Sequence, residues 1–256
     1  MTVPQAEIAH VIVDPAQVCA AYARHRRRFA AEVAALEAEA LATPSRCTEW
    51  TVADVLRHLT DVDGWMRAIW SGQPLPFTDF DPNVTPNEFV AAARSVPDLE
   101  VRDRYRASAE ELAKNVGASD PDRWGLPSLS PLGLVPWWLS AMHVFWDSWV
   151  HERDALMPLG IDVPTESDEL EPVLSYALVV AGTLIREPTD TVVGGVRLTA
   201  DRGVPAQAQP VEHVEPDDQA RLVDALTGRS PLTDGLPTVD ADMVERLGSL
   251  ARFLNP

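Results

Sequence analysis

The chain has 256 residues, 46% of them hydrophobic, so it can bury a sizeable core in one large domain or two unequal ones. Its 39 acidic residues outnumber 21 basic ones, and the formal net charge of −18 disfavours nucleic acid or an anionic membrane surface as a partner. The two cysteines, Cys19 and Cys47, are too few for a disulfide framework or a cysteine-rich zinc site. The first residues lack the basic start and apolar run of a signal peptide, and we expect a cytoplasmic protein.

Apolar residues recur at helical spacing through the first part of the chain. The spacing predicts helices over residues 15–42, 51–70, 85–117 and 136–157, the third of them divided by Pro97. Thr51 and Asp54 have the spacing of a capping box, and Thr85 and Glu88 mark the next helix start in the same way. The helix over 136–157 contains almost only apolar and aromatic residues, so it must be buried.

The remainder of the chain has a different character. The pattern predicts a helix over 170–186, a strand over 191–199, a turn over 201–203, and helices over 219–226 and 243–254. Pro164 interrupts the pattern within residues 160–166, which places a domain boundary there. We therefore expect a mainly α protein, with a four-helix bundle over residues 1–160 followed by a small α+β domain over 161–256.

One predicted helix carries a polar stripe. His143, Asp147, His151 and Asp154 are spaced by four, four and three residues, which places them on one face of an otherwise apolar helix. Burying these groups is costly unless each has a partner, and a divalent cation satisfies a carboxylate and neutral imidazoles together. Asp147 and His151 are one turn apart, and His58, in the middle of the second predicted helix, is the best third ligand. Two histidines and one carboxylate leave coordination positions open, which is typical of a catalytic divalent metal such as zinc.

Other interpretations of these residues remain open. An Asp-x3-His pair also fits a hydrogen-bonded or ion-paired couple, and His58 also fits a partly buried core histidine. Asp154 and His143 fit either groups that orient the ligands or, respectively, a helix-end ion pair and a packed imidazole, so neither is counted as a ligand. Cys47 precedes a helix cap and fits a packed turn residue better than a nucleophile.

Two segments resemble one known family. The first reads Cys47-Thr-Glu-Trp50-Thr-Val-Ala-Asp54-Val-Leu-Arg-His58-Leu. It resembles the Cys-Pro-Gly-Trp-Thr-Val-Ala-Asp-Leu-x-x-His-Leu segment of the mycothiol-dependent maleylpyruvate isomerase-like proteins, which belong to the wider DinB-like bundles. The second, residues 146–155, resembles that family's Glu-x3-His-x2-Asp segment. A weaker match, residues 222–229, resembles a Gly-Arg-ended stretch of the family's small C-terminal domain.

The resemblance implies a DinB-like four-helix bundle with zinc bound by His58, Asp147 and His151, which are then also the catalytic residues. It also implies mycothiol as a thiol cofactor, and Arg229 is placed near a cofactor carboxylate by its fixed charge and planar fork. The sequence departs from the family in two places: Asp147 replaces a glutamate, and Thr48-Glu49 replaces a Pro-Gly turn.

The leading hypothesis is a metal-dependent, mycothiol-dependent enzyme, either an isomerase or a thiol transferase. The metal binds the thiol as thiolate, which lowers its pKa so that it can add to an electrophilic small molecule at neutral pH. The expected partners are therefore a small-molecule substrate and a low-molecular-weight thiol. Two alternatives remain: a hydrolase that uses metal-activated water, and a non-catalytic DinB-like binding or stress protein.

Overall fold

The computed structural model describes residues 10–11, 13–76, 80–81, 83–118, 120–130, 133–184, 188–201 and 204–232. Its helices are α1 Pro15–Ala34, α2 Ala38–Leu41, α3 Val52–Ser71, α4 Thr85–Ala93, α5 Asp98–Gly117, α6 Pro121–Trp124, α7 Trp137–Leu156, α8 Ser167–Leu184 and α9 Pro216–Leu226. Its strands are β1 His10–Val11, β2 Pro127–Ser130, β3 Gly133–Pro136, β4 Thr189–Val193, β5 Val196–Asp201 and β6 Val204–Pro210. The predicted class, mainly helical with a small sheet region, is confirmed.

The chain forms two compact units that interleave in the sequence. The helical unit contains residues 19–123 and 147–164, and the mixed unit contains residues 1–18, 124–146 and 165–256. Helix α7 contributes its first half to the mixed unit and its second half to the helical unit. The helical unit ends after residue 164, within residues 160–166, where the sequence placed a domain boundary. The contiguous domains 1–160 and 161–256 stay a prediction.

The core of the helical unit explains why its helices form where they do. The fully buried residues Val52, Val55, Leu56 and Leu59 of α3 follow the i, i+3, i+4, i+7 spacing of one helix face. The neighbouring Ala53 of α3 also belongs to this core cluster, and the rest is contributed by α1, α2, α5, the end of α7 and the loops beside them: Phe29, Val33, Leu36, Leu41, Val101, Tyr105, Ala109, Ala155 and Leu156. Each of these side chains removes apolar surface from water, which stabilises the unit in proportion to the area buried.

The predicted capping box fixes the start of α3. The Thr51 hydroxyl accepts a hydrogen bond from the Asp54 backbone N–H at 3.2 Å, and the Asp54 carboxylate accepts one from the Thr51 N–H at 3.3 Å. The helix ends at Gly72, whose φ of 70° is the left-handed conformation that glycine adopts without steric cost. With both ends fixed, His58 lies in the second turn of a well-defined helix.

Three sequence predictions about the elements were wrong. The predicted helix over 15–42 breaks after Ala34, and Leu36 within the break and Leu41 in α2 reach the same core. Thr85 is no cap: it lies within α4, and its hydroxyl accepts from the Asp81 N–H. The predicted strand over 191–199 is instead a hairpin of β4 and β5, with residues Gly194 and Gly195 at the turn.

The hairpin turn has a simple physical cause. Gly194 and Gly195 have φ values of 57° and 79°, and two consecutive positive φ angles give the turn type that matches the twist of paired strands.

The remaining predictions concern the helices and the turn in the last third of the chain. The helices predicted over 170–186 and 219–226 are confirmed as α8 and α9. The helix predicted over 243–254 lies outside the described residues, as does most of the turn predicted over 201–203.

The mixed unit is built on a four-stranded sheet with the order β1-β6-β5-β4. Strands β4, β5 and β6 are antiparallel neighbours, and β1 pairs in parallel with β6. A second, two-stranded sheet of β2 and β3 directly precedes α7, in a segment where the sequence predicted neither helix nor strand. Within the described part of the chain, no helix is both long and apolar enough to cross a membrane.

Candidate metal centre

The structure brings together the three residues predicted as metal ligands. His58 comes from α3, while Asp147 and His151 come from successive turns of α7, all within the helical unit. The Asp147 Oδ1 atom lies 3.5 Å from His58 Nε2 and 3.5 Å from His151 Nε2. The three side chains offer ligand atoms that all lie within 4.8 Å of one another.

These separations suit an ion better than direct hydrogen bonds. A ring N–H and a carboxylate oxygen bond best at about 2.7–3.2 Å, so 3.5 Å is long for either histidine. Two ligand atoms at about 2.1 Å from a tetrahedral zinc ion are about 3.4 Å apart, close to the distances found here. The side chains of His58, Asp147 and His151 are only 8%, 12% and 10% exposed, so the group is shielded yet reachable. The residues present therefore fit a divalent metal.

Asp154 orients His151. The Asp154 carboxylate is fully buried, and its Oδ2 lies 3.0 Å from His151 Nδ1. With Nδ1–H donating to this carboxylate, the lone pair of the neutral ring is on Nε2, the atom that faces Asp147. Of the two interpretations left open by the sequence, the structure supports the orienting role for Asp154.

Cys47 contacts both Asp154 and His151. Its Sγ is 3.2 Å from Asp154 Oδ2, where the thiol donates a hydrogen bond, and 3.7 Å from His151 Nδ1. Arg46 also contacts this aspartate: its Nε is 3.7 Å from Asp154 Oδ1, and its backbone N–H donates to the Asp154 carbonyl oxygen at 3.0 Å. As predicted, Cys47 is a packed turn residue, half-buried against the core.

The turn that holds Cys47 is strained at Glu49. The Trp50 N–H donates to the Cys47 carbonyl oxygen at 3.2 Å, which closes a four-residue turn. Glu49, the third residue of this turn, has a φ of 66°, a conformation that costs an L-residue with a side chain about 1–2 kcal/mol. A turn with positive φ at its third residue favours proline in second place and glycine in third, the Pro-Gly pair that Thr48 and Glu49 replace.

Trp50 is a residue of the site whose role the sequence did not predict. Its ring centroid is 5.2 Å from that of His58 and 6.2 Å from that of His151, so the indole covers both imidazoles. The indole N–H donates to Asn87 Oδ1 at 2.9 Å, which fixes the ring in place. The only sequence signal was its position in the segment that also contains His58.

A buried ionic network joins α1, α3 and α7 next to the proposed ligand Asp147. Arg26 Nη2 is 2.5 Å from Asp63 Oδ2, both side chains are 1% exposed, and Arg26 Nη1 donates to the Ser148 hydroxyl at 2.9 Å. Ser148 follows the proposed ligand Asp147 in α7. Burial raises the pKa of Tyr22 far above its usual range, and the carboxylates of Asp63 and Asp147 add to this effect while Arg26 opposes it.

Two further residues singled out by the sequence belong to the mixed unit. The His143 ring Nδ1 lies 3.0 Å from the Tyr176 hydroxyl, and the rings of Trp146 and Tyr176 pack around it, as expected for a packed imidazole. Arg229 follows α9, and its Nη1 donates to the Thr227 carbonyl oxygen at 2.6 Å. Its predicted role beside a thiol cofactor stays a prediction.

Comparison with known proteins assigns the chain to a family. Residues 22–156, more than half of the chain, match the family model described as the mycothiol maleylpyruvate isomerase N-terminal domain. The chain belongs to this family. The matched region includes His58, Asp147, His151 and Asp154, whereas Arg229 lies beyond it.

Solved structures show the same fold. The mycothiol-dependent maleylpyruvate isomerase is similar with a TM-score of 0.56 and 16% sequence identity, over 85% of this chain and 90% of that chain. A histidine-to-alanine mutant of the mycothiol-dependent maleylpyruvate isomerase is similar with a TM-score of 0.55, at the same identity and coverage. No curated protein sequence matches the chain at a significant level.

Proposed function

We propose that the chain is a metal-dependent enzyme that uses mycothiol and isomerises an electrophilic small molecule, with His58, Asp147 and His151 as metal ligands. The observation that carries the proposal is the position of Asp147 Oδ1, 3.5 Å from the Nε2 atoms of both histidines. Membership of the maleylpyruvate isomerase family supports the thiol, and the isomerase activity named for the solved relative supports the reaction class.

The donor set favours zinc or a similar divalent ion. Two neutral imidazoles and one carboxylate suit borderline metals, and three protein ligands leave a position for a further group. An ion held there supplies the Lewis acidity that keeps a thiol sulfur deprotonated near neutral pH.

The surrounding residues have separate tasks in this proposal. Asp154 holds the His151 ring with its Nε2 lone pair towards Asp147, and thereby fixes one of the three donor atoms. Trp50 covers the two imidazoles and excludes water from that side. Arg229, whose guanidinium presents a planar fork, is proposed to bind a carboxylate of the thiol cofactor.

The reaction class depends on whether the thiol adds to the substrate reversibly or irreversibly. Reversible addition to a conjugated double bond permits rotation and so isomerises the compound, whereas irreversible addition transfers the thiol to it. We propose the reversible course. Recovery of all the mycothiol after turnover, with a changed double-bond geometry in the product, supports isomerisation, and consumption of one thiol per product indicates transfer.

Calorimetry of mycothiol binding tests the proposal. Capture of the sulfur as thiolate releases a proton, so the observed heat depends on the ionisation enthalpy of the buffer. Metal-loaded protein should show this dependence, and metal-free protein should bind far more weakly. Equal binding by both forms with no proton released would contradict the thiol mechanism.

A further inference from the structure

A second group of possible ligands lies beside the proposed metal centre. Cys47 Sγ, His151 Nδ1 and Asp154 Oδ2 lie within 4.8 Å of one another, all in the helical unit. The pairs are 3.0 Å apart for His151 and Asp154, 3.2 Å for Cys47 and Asp154, and 3.7 Å for Cys47 and His151. This group shares His151 with the first centre but uses the other ring nitrogen.

The three distances are close to those of a metal site. Metal bonds of about 2.3 Å to a thiolate and about 2.0–2.2 Å to an imidazole or carboxylate place tetrahedral ligands about 3.4–3.6 Å apart. The observed separations differ from these values by a few tenths of an ångström, which small side-chain rotations can supply. Without an ion, the same atoms form hydrogen bonds from His151 and Cys47 to Asp154. A bound ion takes the place of both hydrogen bonds: the thiol proton is released to solvent, and the His151 ring proton moves from Nδ1 to Nε2.

Charge and access also suit an ion at this position. One thiolate and one carboxylate neutralise a divalent cation, while the guanidinium of Arg46, 3.7 Å from Asp154 Oδ1, opposes it. Asp154 is fully buried, but Cys47 is half-buried and lines a surface cleft of about 480 Å³ formed by residues 44–51. The cleft gives an ion a path to the sulfur.

We infer that Cys47, His151 and Asp154 form a second metal position, selective for thiophilic divalent ions such as Cd²⁺, Co²⁺ or excess Zn²⁺. The second position competes with the first, because a neutral imidazole has one lone-pair nitrogen and the other carries the proton. An ion on Nδ1 requires the ring proton to move to Nε2, which then no longer serves as a ligand beside Asp147. The competition between the two positions rests on the proposed function, in which His151 is a ligand of the first centre. Binding of an ion at Cys47 does not rest on it.

Titration of the metal-free protein with Co²⁺ tests the inference, since a cobalt–thiolate bond gives a charge-transfer absorption that histidine and carboxylate ligands lack. In a His58→Ala background, which leaves all three residues of the second position intact, the band should appear and saturate at about one ion per chain. Adding Cys47→Ser should abolish it. Adding Cys19→Ser, the matched control at the buried second cysteine, should leave it unchanged.

Three results of the cobalt titration would contradict the second position or its competition with the first. Absence of the band in folded His58→Ala protein and in Asp147→Leu protein, or its survival after Cys47→Ser, would overturn the second position. A wild-type band at one equivalent of Co²⁺ as strong as that of His58→Ala would overturn the competition. The Cys47→Ser protein separates the second position from the proposed function. It should still bind one ion and mycothiol at the first centre, and a failure to do so would contradict the proposed function and not the second position.

Discussion

His151 donates from its Nδ1 atom to the buried carboxylate of Asp154, 3.0 Å away, while its Nε2 atom faces Asp147. This hydrogen bond fixes both the tautomer and the tilt of the ring, because only one nitrogen of a neutral imidazole has a free lone pair. The orientation of one proposed ligand of the first centre thus depends on a residue that is not itself a ligand of that centre.

Asp154→Asn should therefore weaken metal binding at the first centre without removing any of its ligands. Loss of a partner that orients a ligand typically lowers metal affinity by about 10- to 100-fold, and we expect a loss in this range. Competition with a chelator of known affinity measures it, with circular dichroism to confirm that the helices remain. Unchanged affinity in Asp154→Asn would mean that the hydrogen bond does not position His151.

Asp147→Glu should keep the metal, and Asp147→Leu should lose it. The proposed ligand atom, Oδ1, is 3.5 Å from both histidine nitrogens, and a glutamate at this position restores the residue that is usual in the family. Leucine has similar bulk but no oxygen to offer. Elemental analysis of the two variants, both made in Cys47→Ser protein so that the second position cannot load, measures the difference, and a fully loaded Asp147→Leu protein would remove the carboxylate from the site.

Glu49→Gly should stabilise the chain by about 1 kcal/mol, because glycine adopts the observed φ of 66° without steric cost. Denaturant unfolding measures the change in the free energy of unfolding. Glu88→Gly, at an exposed position inside α4, is the matched control and should cost about 1 kcal/mol. A destabilised Glu49→Gly protein would contradict the strained turn.

Arg26→Gln should destabilise the helical unit far more than Arg27→Gln. Arg26 and Asp63 are both buried, so removal of the arginine charge leaves Asp63 without its ion-pair partner, at a cost of about 3–5 kcal/mol. Arg27 pairs with Glu110 at 3.5 Å, but both side chains are more than half exposed, and the loss should be below about 1 kcal/mol. Equal midpoints of denaturant unfolding in the two variants would contradict the importance of the buried pair.

The sequence predicts the metal centre because burial leaves few other ways to satisfy its groups. Asp147 and His151 lie one turn apart in a helix that is otherwise apolar, and His58 lies in a helix whose start is marked by its capping box. Spacing and polarity along a helix are local properties, so they can be read without the tertiary structure.

Other features depend on tertiary contacts, and the sequence did not predict them. Residues 35–37 contain no glycine or proline, yet the helix breaks there because Leu36 and Leu41 both reach the core. Trp50 covers the histidines because a turn at Glu49 and a hydrogen bond to Asn87 direct it there. The approach of Cys47 to Asp154 likewise joins residues far apart in the sequence.

The metal content of the purified chain tests the central claim most directly. In a Cys47→Ser background, which removes the second position, the protein should carry about one divalent transition metal per chain, and adding His58→Ala or His151→Ala should remove it while the helical circular dichroism is kept. His213→Ala, at an exposed histidine of the mixed unit, is the matched control and should keep the metal. Full metal occupancy in the folded protein after both His58→Ala and His151→Ala, each made in this background, would contradict the site.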